Sequence, residues 1–410
     1  KYTLQKILKE AVIDTVTQRE LTALFKAMAA EKDAEKPKQY KHIPYFNGGL
    51  FREVSPVELS FKELDLLATA SNQDWSKVRP SVFGSIFEGS MDPDKRHGHG
   101  IHYTSELDIQ KIVNPTIVRP FRERIEKAKN KKELGKILDE IQKFKVLDPA
   151  CGSGNFLYIA FRELRRLEVD ILERMDKNFD PRQMRFGLIS PKNFYGIDTN
   201  EFGLELAKVA LCIGRKLSAD EFGIADNVLP FDNLDRNFSS KDALFSKWPD
   251  VDAIIGNQPF QSKNKMQTEF GKEYMSRLRE AHSEISGYAD YCVYWFRLAH
   301  DHLKPGGRAG LVGTNTIRQN QSRESGLDYV VSHGGQINEA VSTQVWSGDA
   351  AVHVSIVNWV KAVEPGSKKL LTQKGDKRDS PWEIHNLVLI PPTLSAKLNV
   401  SSAKPLSANT

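Results

Sequence analysis

The chain has 410 residues, 40% of them apolar, a net charge of +5 and three cysteines. Its length exceeds one ordinary domain and predicts about two or three units. No run approaches the roughly 18 to 20 apolar residues of a membrane span, and Cys151, Cys212 and Cys292 match neither a zinc nor a disulfide spacing. A cytoplasmic protein is expected, with no membrane partner and a positive charge too modest to name a nucleic-acid partner by itself.

Residues 1–82 read as a helical spacer or brace. Tyr2 to Ala30 has helical periodicity, Glu31 to Lys41 is a charged connection, PYFNGGLF (Pro44 to Phe51) is a glycine turn, and Ser60 to Ser71 returns to helix. No catalytic constellation falls here. From Phe83 the texture changes to FGSIFEGSMD and then a loop in which Gly98 and Gly100 precede Tyr103-Thr104-Ser105. Ser105 is the predicted N-cap of a helix from Glu106, and a hydroxyl beside the N–H groups of a helix start suits a carboxylate. His97, His99 and His102 lack an acidic or cysteine companion at ligand spacing, so no metal is expected. Two basic runs, Lys127 to Lys136 and Lys368 to Arg378, suit phosphates or, more plainly, a solvated helix face and a loop.

The stretch VLDPACGSGNF, Val146 to Phe156, organises the chain. A short buried strand ends at Asp148, a loop carries Gly152 and Gly154, and the periodic run Phe156 to Met175 predicts a helix. Strand, glycine loop and helix in that order bring backbone N–H groups and a helix N-terminus to a ligand bearing negative charge. A dinucleotide is disfavoured, because Leu157 stands where the third glycine of that fingerprint belongs.

Phe194 to Asp198 reads as a second strand with an acid at its tip. There a nucleotide-like ligand presents ribose hydroxyls, which the Asp198 carboxylate can accept; the bland alternative is a cap for the helix predicted from Glu201 to Leu217. Asp148 and Asp198 are 50 residues apart (198 minus 148), against roughly 20 in a minimal unit, and Asp176 to Pro191 reads as an insertion.

The next buried strand, Val251 to Gly256, delivers Asn257-Gln258-Pro259-Phe260 to the carboxyl edge of a parallel sheet, where open α/β sheets keep their ligands. The Asn257 amide oxygen and the carbonyl of Gln258 can accept both hydrogens of an exocyclic amine and aim its lone pair at a methyl donor. Pro259 stiffens the turn, and Phe260 offers a face on which a base can stack. Tyr291, Tyr294, Trp295 and Phe296 have core spacing, Arg308 to Val312 reads as a strand, and Ala350 to Val360 reads as a long β-branched strand.

These motifs, in this order, resemble the gamma-class adenine-N6 DNA methyltransferases over Phe83 to Val360, about two thirds of the chain. FGSIFEGSMD with the following YTSE, PYFNGGLF upstream and GDAAVHVSIVNW downstream are most similar to the MmeI-like fused restriction–modification enzymes. The resemblance implies a Rossmann-like α/β fold with a mostly parallel, doubly wound sheet. It also implies S-adenosylmethionine as cofactor, held by Tyr103, Thr104, Asp148, Ala150, Gly152, Gly154, Asn155, Phe156, Asp198 and Asp242. Asp232 and Asp235 rival Asp242 for the contact to the cofactor's adenine. Asn257, Gln258, Pro259 and Phe260 become the catalytic motif, with Gln258 where the family has proline, a departure that loosens the turn. Double-stranded DNA with a flipped adenine is the expected partner; RNA adenine or a protein glutamine amide is the alternative acceptor, and a cofactor-holding subunit with weakened catalysis is the alternative role. Cytosine carbon-5 chemistry lacks its Pro-Cys nucleophile. The implied organisation is a spacer (1–82), a methyltransferase domain (83–362) and a linker or start of a target-recognition region (363–410), with the nuclease and recognition domains of a longer polypeptide outside this chain.

Overall fold

Residues 2–9, 15–47, 49–54, 58–74, 82, 104–176, 189–222, 232–346 and 352–397 are described in a computed structural model of the chain. The histidine tract, Tyr103, FGSIFEGSMD, the body of the expected insertion and Gly348 to Ala351 lie outside the described residues.

Within Tyr2 to Ala30, where helical periodicity is read, the described residues form α1 (Tyr2–Lys9) and α2 (Thr15–Ala29). Helix α3 (Phe61–Asn72) opens with a capping box in which the Ser60 hydroxyl accepts the Glu63 N–H and the Glu63 carboxylate accepts the Ser60 N–H at 2.7 Å. Helix α4 (Glu106–Val113) starts at its predicted cap, the Ser105 hydroxyl accepting the Asp108 N–H at 3.2 Å. It continues through a π turn at Asn114–Val118, where Pro115 has no N–H for the helical ladder, into α5 (Arg119–Lys127). Helix α6 (Lys131–Lys143) buries Leu134, Ile137 and Ile141 and turns Lys131, Lys132 and Lys136 outward. The first basic run is thus a solvated helix face.

The α/β portion follows as β1 (Val146–Asp148), α7 (Asn155–Met175), β2 (Phe194–Asp198), α8 (Glu201–Glu221), β3 (Phe238–Ser240), β4 (Ala253–Asn257), α9 (Lys263–Ala281), α10 (Cys292–His302), β5 (Arg308–Thr314), β6 (Gln336–Val345), β7 (His353–Val360), β8 (Lys368–Gln373) and β9 (Trp382–Leu387). Of the seven strand pairings described, four are parallel. The described residues form two compact units. One draws on Lys1–Met91, Arg124–Phe144 and Cys151–Asp242, the other on Asp92–Glu123, Lys145–Ala150 and Ala243–Thr410.

In the second unit β1, β4 and β5 run side by side in parallel, β7 lies antiparallel between β5 and β6, and β8 and β9 continue beyond β6. Parallel strands are covered on both faces and need near-continuous apolar sequence. Val146, Leu147, Ile254, Ile255, Leu311 and Val312 meet that demand by being fully buried. The long β-branched strand is β7, whose Trp359 stacks on Phe296 with ring centroids 5.5 Å apart. Residues 368–387, within the stretch read as a linker or the start of a target-recognition region, contribute β8 and β9 to the sheet. The second basic run is therefore a strand and hairpin, and its buried Lys368 donates to the Glu364 carbonyl at 3.0 Å.

In the first unit β2 and β3 pair in parallel, Gly196 opposite Phe238. Helix α7 packs against α6 and α8, and Phe161 meets Phe194 edge to face. Gly154 is the N-cap of α7 at φ +81°, and a Cβ there would come within 2.7 Å of the Ala207 Cβ on α8. Only glycine combines that backbone with that approach. Among the described residues no helix is long and apolar enough to cross a membrane, and no group of three or more His, Cys, Asp or Glu could hold a metal ion.

One ion pair in α7 is deeply buried: Arg165 bonds Glu168, and the other Glu168 oxygen accepts the Ile189 N–H at 3.2 Å. Removing one member leaves a buried charge without its counterpart. Glu168→Ala is expected to lower unfolding stability in urea by about 3–5 kcal/mol. Asp170→Ala, which breaks the exposed pair with Arg174 on the same helix, is expected to cost less than about 1 kcal/mol.

Candidate active site

Parallel pairing of β1 with β4, Val146 opposite Ala253 and Leu147 opposite Ile254, brings Asp148 and Asn257 to the same carboxyl edge. The Asn257 amide is anchored on one side, its Nδ2 donating to the Thr104 hydroxyl at 3.3 Å. Its Oδ1 is buried and accepts no hydrogen bond among the described residues. An acceptor left in that state costs roughly 1–3 kcal/mol, which a protein retains where a ligand completes the bond. Thr104, expected at the cofactor, is itself buried and supports the Asn257 amide.

Gln258 is only 1% exposed, yet both side-chain atoms, Oε1 and Nε2, lack partners among the described residues. A Cβ on Gly256 would lie 2.6 Å from Asp148 Oδ1 and 2.7 Å from Gln258 Nε2, so the carboxylate and the amide close over one bare Cα. Pro259 and Phe260 are half-buried. Phe260 meets the Trp346 ring edge to face, centroids 6.5 Å apart. The arrangement thus offers an unmet amide oxygen beside an aromatic platform, which suits a flat ligand carrying an N–H donor.

Three supports of this edge escaped sequence reading. Asp290, buried at the head of α10, accepts the Thr314 hydroxyl at 2.8 Å and the Thr316 hydroxyl, while its N–H donates to Ser322 Oγ at 3.0 Å. The next residue, Tyr291, donates its N–H to the Gln261 carbonyl at 3.0 Å and so ties down the segment after Phe260. Trp295 donates Nε1 to the Pro149 carbonyl at 3.3 Å, fixing the end of β1, where Asp148 Oδ1 accepts the Ala150 N–H at 3.1 Å. The available signal was an acid inside an aromatic run, followed by Thr314 and Thr316 at the tip of the next strand. Tyr291, Tyr294, Trp295 and Phe296 are buried, as core spacing predicts.

The first unit carries the glycine loop. The Gly152 N–H, expected to face a ligand, donates to Asp198 Oδ2 at 2.9 Å, and the Cys151 N–H donates to the Ile197 carbonyl at 3.1 Å. Asp198 Oδ1 accepts the Asn200 N–H at 2.9 Å, and Asn200, not Asp198, caps α8 through the Gly203 N–H at 2.8 Å. Asp198 is accordingly a clamp across the loop as well as an acid at a strand tip. At the start of α7, Asn155 Oδ1 is buried without a partner among the described residues, and Phe156 faces the core. Asp232 is tied to Arg215 at 2.9 Å and to Lys192 at 3.1 Å, and Asp235 to Lys208 at 2.6 Å. Those ion pairs occupy the two rivals of Asp242, which lies half-buried just past β3.

The family described as MmeI, DNA-methyltransferase domain, matches residues 125–372, more than half of the chain. DNA methyltransferase A of Bacillus subtilis (strain 168) is 26% identical over 353 residues, covering 82% of this chain and 40% of the relative. The structure of the Type IIL restriction-modification enzyme MmeI in complex with DNA superposes with a TM-score of 0.83 at 27% identity, covering 98% of this chain and 56% of that one. The DrdV–DNA complex, at 14% identity and a TM-score of 0.51, shares the fold. The chain therefore spans about half the length of these relatives or less, and it belongs to the MmeI DNA-methyltransferase domain family.

Burial closes the covalent route through cysteine. All three thiols are buried. Burial, with the Asp290 carboxylate adding to it, pushes the Cys292 thiol up to about 12, and burial, reinforced by Asp232, pushes the Cys212 thiol up to about 12. The nucleophile is the thiolate, so at pH 8 only roughly one thiol in ten thousand is reactive at either position. Iodoacetamide at pH 8 is expected to leave Cys212 and Cys292 unmodified in the folded chain while labelling both fully in urea, as read by peptide mass spectrometry. Fast labelling of folded Cys292 would contradict this.

Proposed function

We propose that this member of the MmeI DNA-methyltransferase domain family transfers a methyl group from S-adenosylmethionine to the N6 amino group of an adenine flipped out of double-stranded DNA. It would act as the modification part of a longer restriction–modification polypeptide whose nuclease and target-recognition regions lie elsewhere. The observation that carries the reading is Asn257, an amide held by Thr104 with its oxygen buried and without a partner among the described residues. Relatives named as a DNA methyltransferase and as a DNA-bound restriction-modification enzyme support DNA as the acceptor.

The residues present fit the cofactor. Its ribose hydroxyls are donors, and the chain offers acceptors for them in Asp198 and in Asn155 Oδ1, which lacks a partner among the described residues. Asp148, Ala150, Gly152, Gly154, Phe156, Asp242, Tyr103 and Thr104 complete the proposed binding set. When bound, the cofactor supplies an electrophilic methyl group on a sulfonium sulfur.

Asn257 Oδ1 and the main-chain carbonyl of Gln258 each accept one hydrogen of the adenine amine, leaving the nitrogen lone pair to meet the methyl carbon. Transfer would form the N–C bond as the S–C bond breaks, S-adenosylhomocysteine would leave, and the N6 nitrogen would carry positive charge until one of its hydrogens passed to solvent as a proton. As that charge grows, the two oxygens hold its hydrogens more strongly than before, which lowers the barrier. Phe260 stacks on the base, and Pro259 limits the turn to one backbone course. Flipping is required because N6 inside a stacked duplex cannot align with the donor.

Asn257→Ala is expected to reduce tritiated methyl transfer to duplex DNA by about 100-fold or more, with S-adenosylhomocysteine binding nearly unchanged. Thr104→Val leaves the amide oxygen in place but unanchored, and is expected to lower kcat about tenfold. Nuclease digestion of the methylated product is expected to release N6-methyladenine. Label in cytosine, in RNA or in a protein glutamine amide would overturn the choice of acceptor.

A further inference from the structure

The Gln258 side chain has no role in the reaction just derived, which uses only its main-chain carbonyl. It is nonetheless almost wholly buried, with a donor and an acceptor both unmet among the described residues. Along β4 and its extension, residues 256 and 258 share one face and Asn257 takes the other. The Gln258 amide thus turns away from the Asn257 side, toward the end of β1. The glycine at 256 confirms that direction, since its missing Cβ is approached by Asp148 Oδ1 at 2.6 Å and by Gln258 Nε2 at 2.7 Å. A carboxylate, an amide carbonyl and an amide N–H are therefore gathered at one spot. Two acceptors and one donor complement a zwitterionic α-amino acid, whose ammonium bonds the acceptors and whose carboxylate takes the amide N–H. A neutral purine edge would offer the Asp148 carboxylate an N–H but no countercharge.

We infer that the Gln258 side chain, together with Asp148, receives the amino-acid end of the cofactor, so that the residue standing in place of the family's proline is a positioning residue for the methyl donor. This rests on the cofactor proposed above. Its two parts are separable: the main-chain carbonyl serves the acceptor amine, and the side-chain amide serves the donor.

The test is calorimetric and needs no turnover. S-adenosylhomocysteine carries the amino-acid end, and 5′-methylthioadenosine lacks it. Gln258→Met keeps the side-chain length and removes the amide. It is expected to weaken S-adenosylhomocysteine about tenfold and leave 5′-methylthioadenosine unchanged. The ligand-free chain should melt about 2–4 °C higher, because an unmet buried amide is gone. Gln258→Pro serves as the second variant and is expected to show the same ligand discrimination. Equal weakening of both ligands, or no weakening of either, in a variant that retains its fold overturns the inference. Failure of the unaltered chain to bind either ligand instead overturns the proposed function.

Discussion

Two neighbouring strands that run the same way must end at the same edge, and that constraint on β1 and β4 underlies the rest of the site. Their register sets Asp148 beside the β4 terminus, and Gly256, with no side chain, lets the Asp148 carboxylate and the Gln258 amide close over it. An antiparallel pairing would have sent the two ends to opposite edges. The energy that holds this register comes from strands whose residues are buried on both faces, so the site rests on the best-packed part of its unit. Among the described residues, Asn257 Oδ1 and the Gln258 amide atoms lack partners against that rigid backing, which is what the proposed binding surface would require.

The glycine loop illustrates a second use of one residue. Asp198 accepts two backbone N–H groups and thereby fixes the loop that follows β1 in the chain. A clamp of this kind restricts the backbone before any ligand arrives, so less ordering remains to be done on binding. Thr104 plays the matching part for Asn257: one hydrogen bond decides which end of a symmetric-looking amide is held and which is offered. Asp290 does the same on a larger scale by drawing the Thr314 and Thr316 hydroxyls onto one buried carboxylate while its N–H donates to Ser322 Oγ.

Much of this was legible in the sequence, for physical reasons that differ between elements. Val146 to Asp148 and Ala253 to Asn257 were readable because buried parallel strands must be apolar without interruption. The α4 start was readable because Ser105 supplies a cap, and α7 because a glycine loop leads into a long periodic run. The strands within residues 368–387 were not legible, because a hairpin rich in lysine carries little apolar pattern of its own. Lys368 gives no local sign that its ammonium will be buried on the Glu364 carbonyl. The roles of Asp290, Trp295 and Thr104 depend on partners 20 to 150 residues distant, roughly, which no local pattern encodes. Gln258 was visible as a departure from a motif, but its unmet amide is a fact of burial and not of sequence.

The most direct measurement is a crystal structure of the chain with a non-reactive cofactor analogue and an adenine-containing DNA duplex. The expected result is a flipped adenine with N6 about 2.7–3.2 Å from Asn257 Oδ1, its ring against Phe260, and Asn257 Nδ2 still on the Thr104 hydroxyl. An Asn257 amide that keeps its oxygen turned away from the base, or a base bound elsewhere than against Phe260, would contradict it.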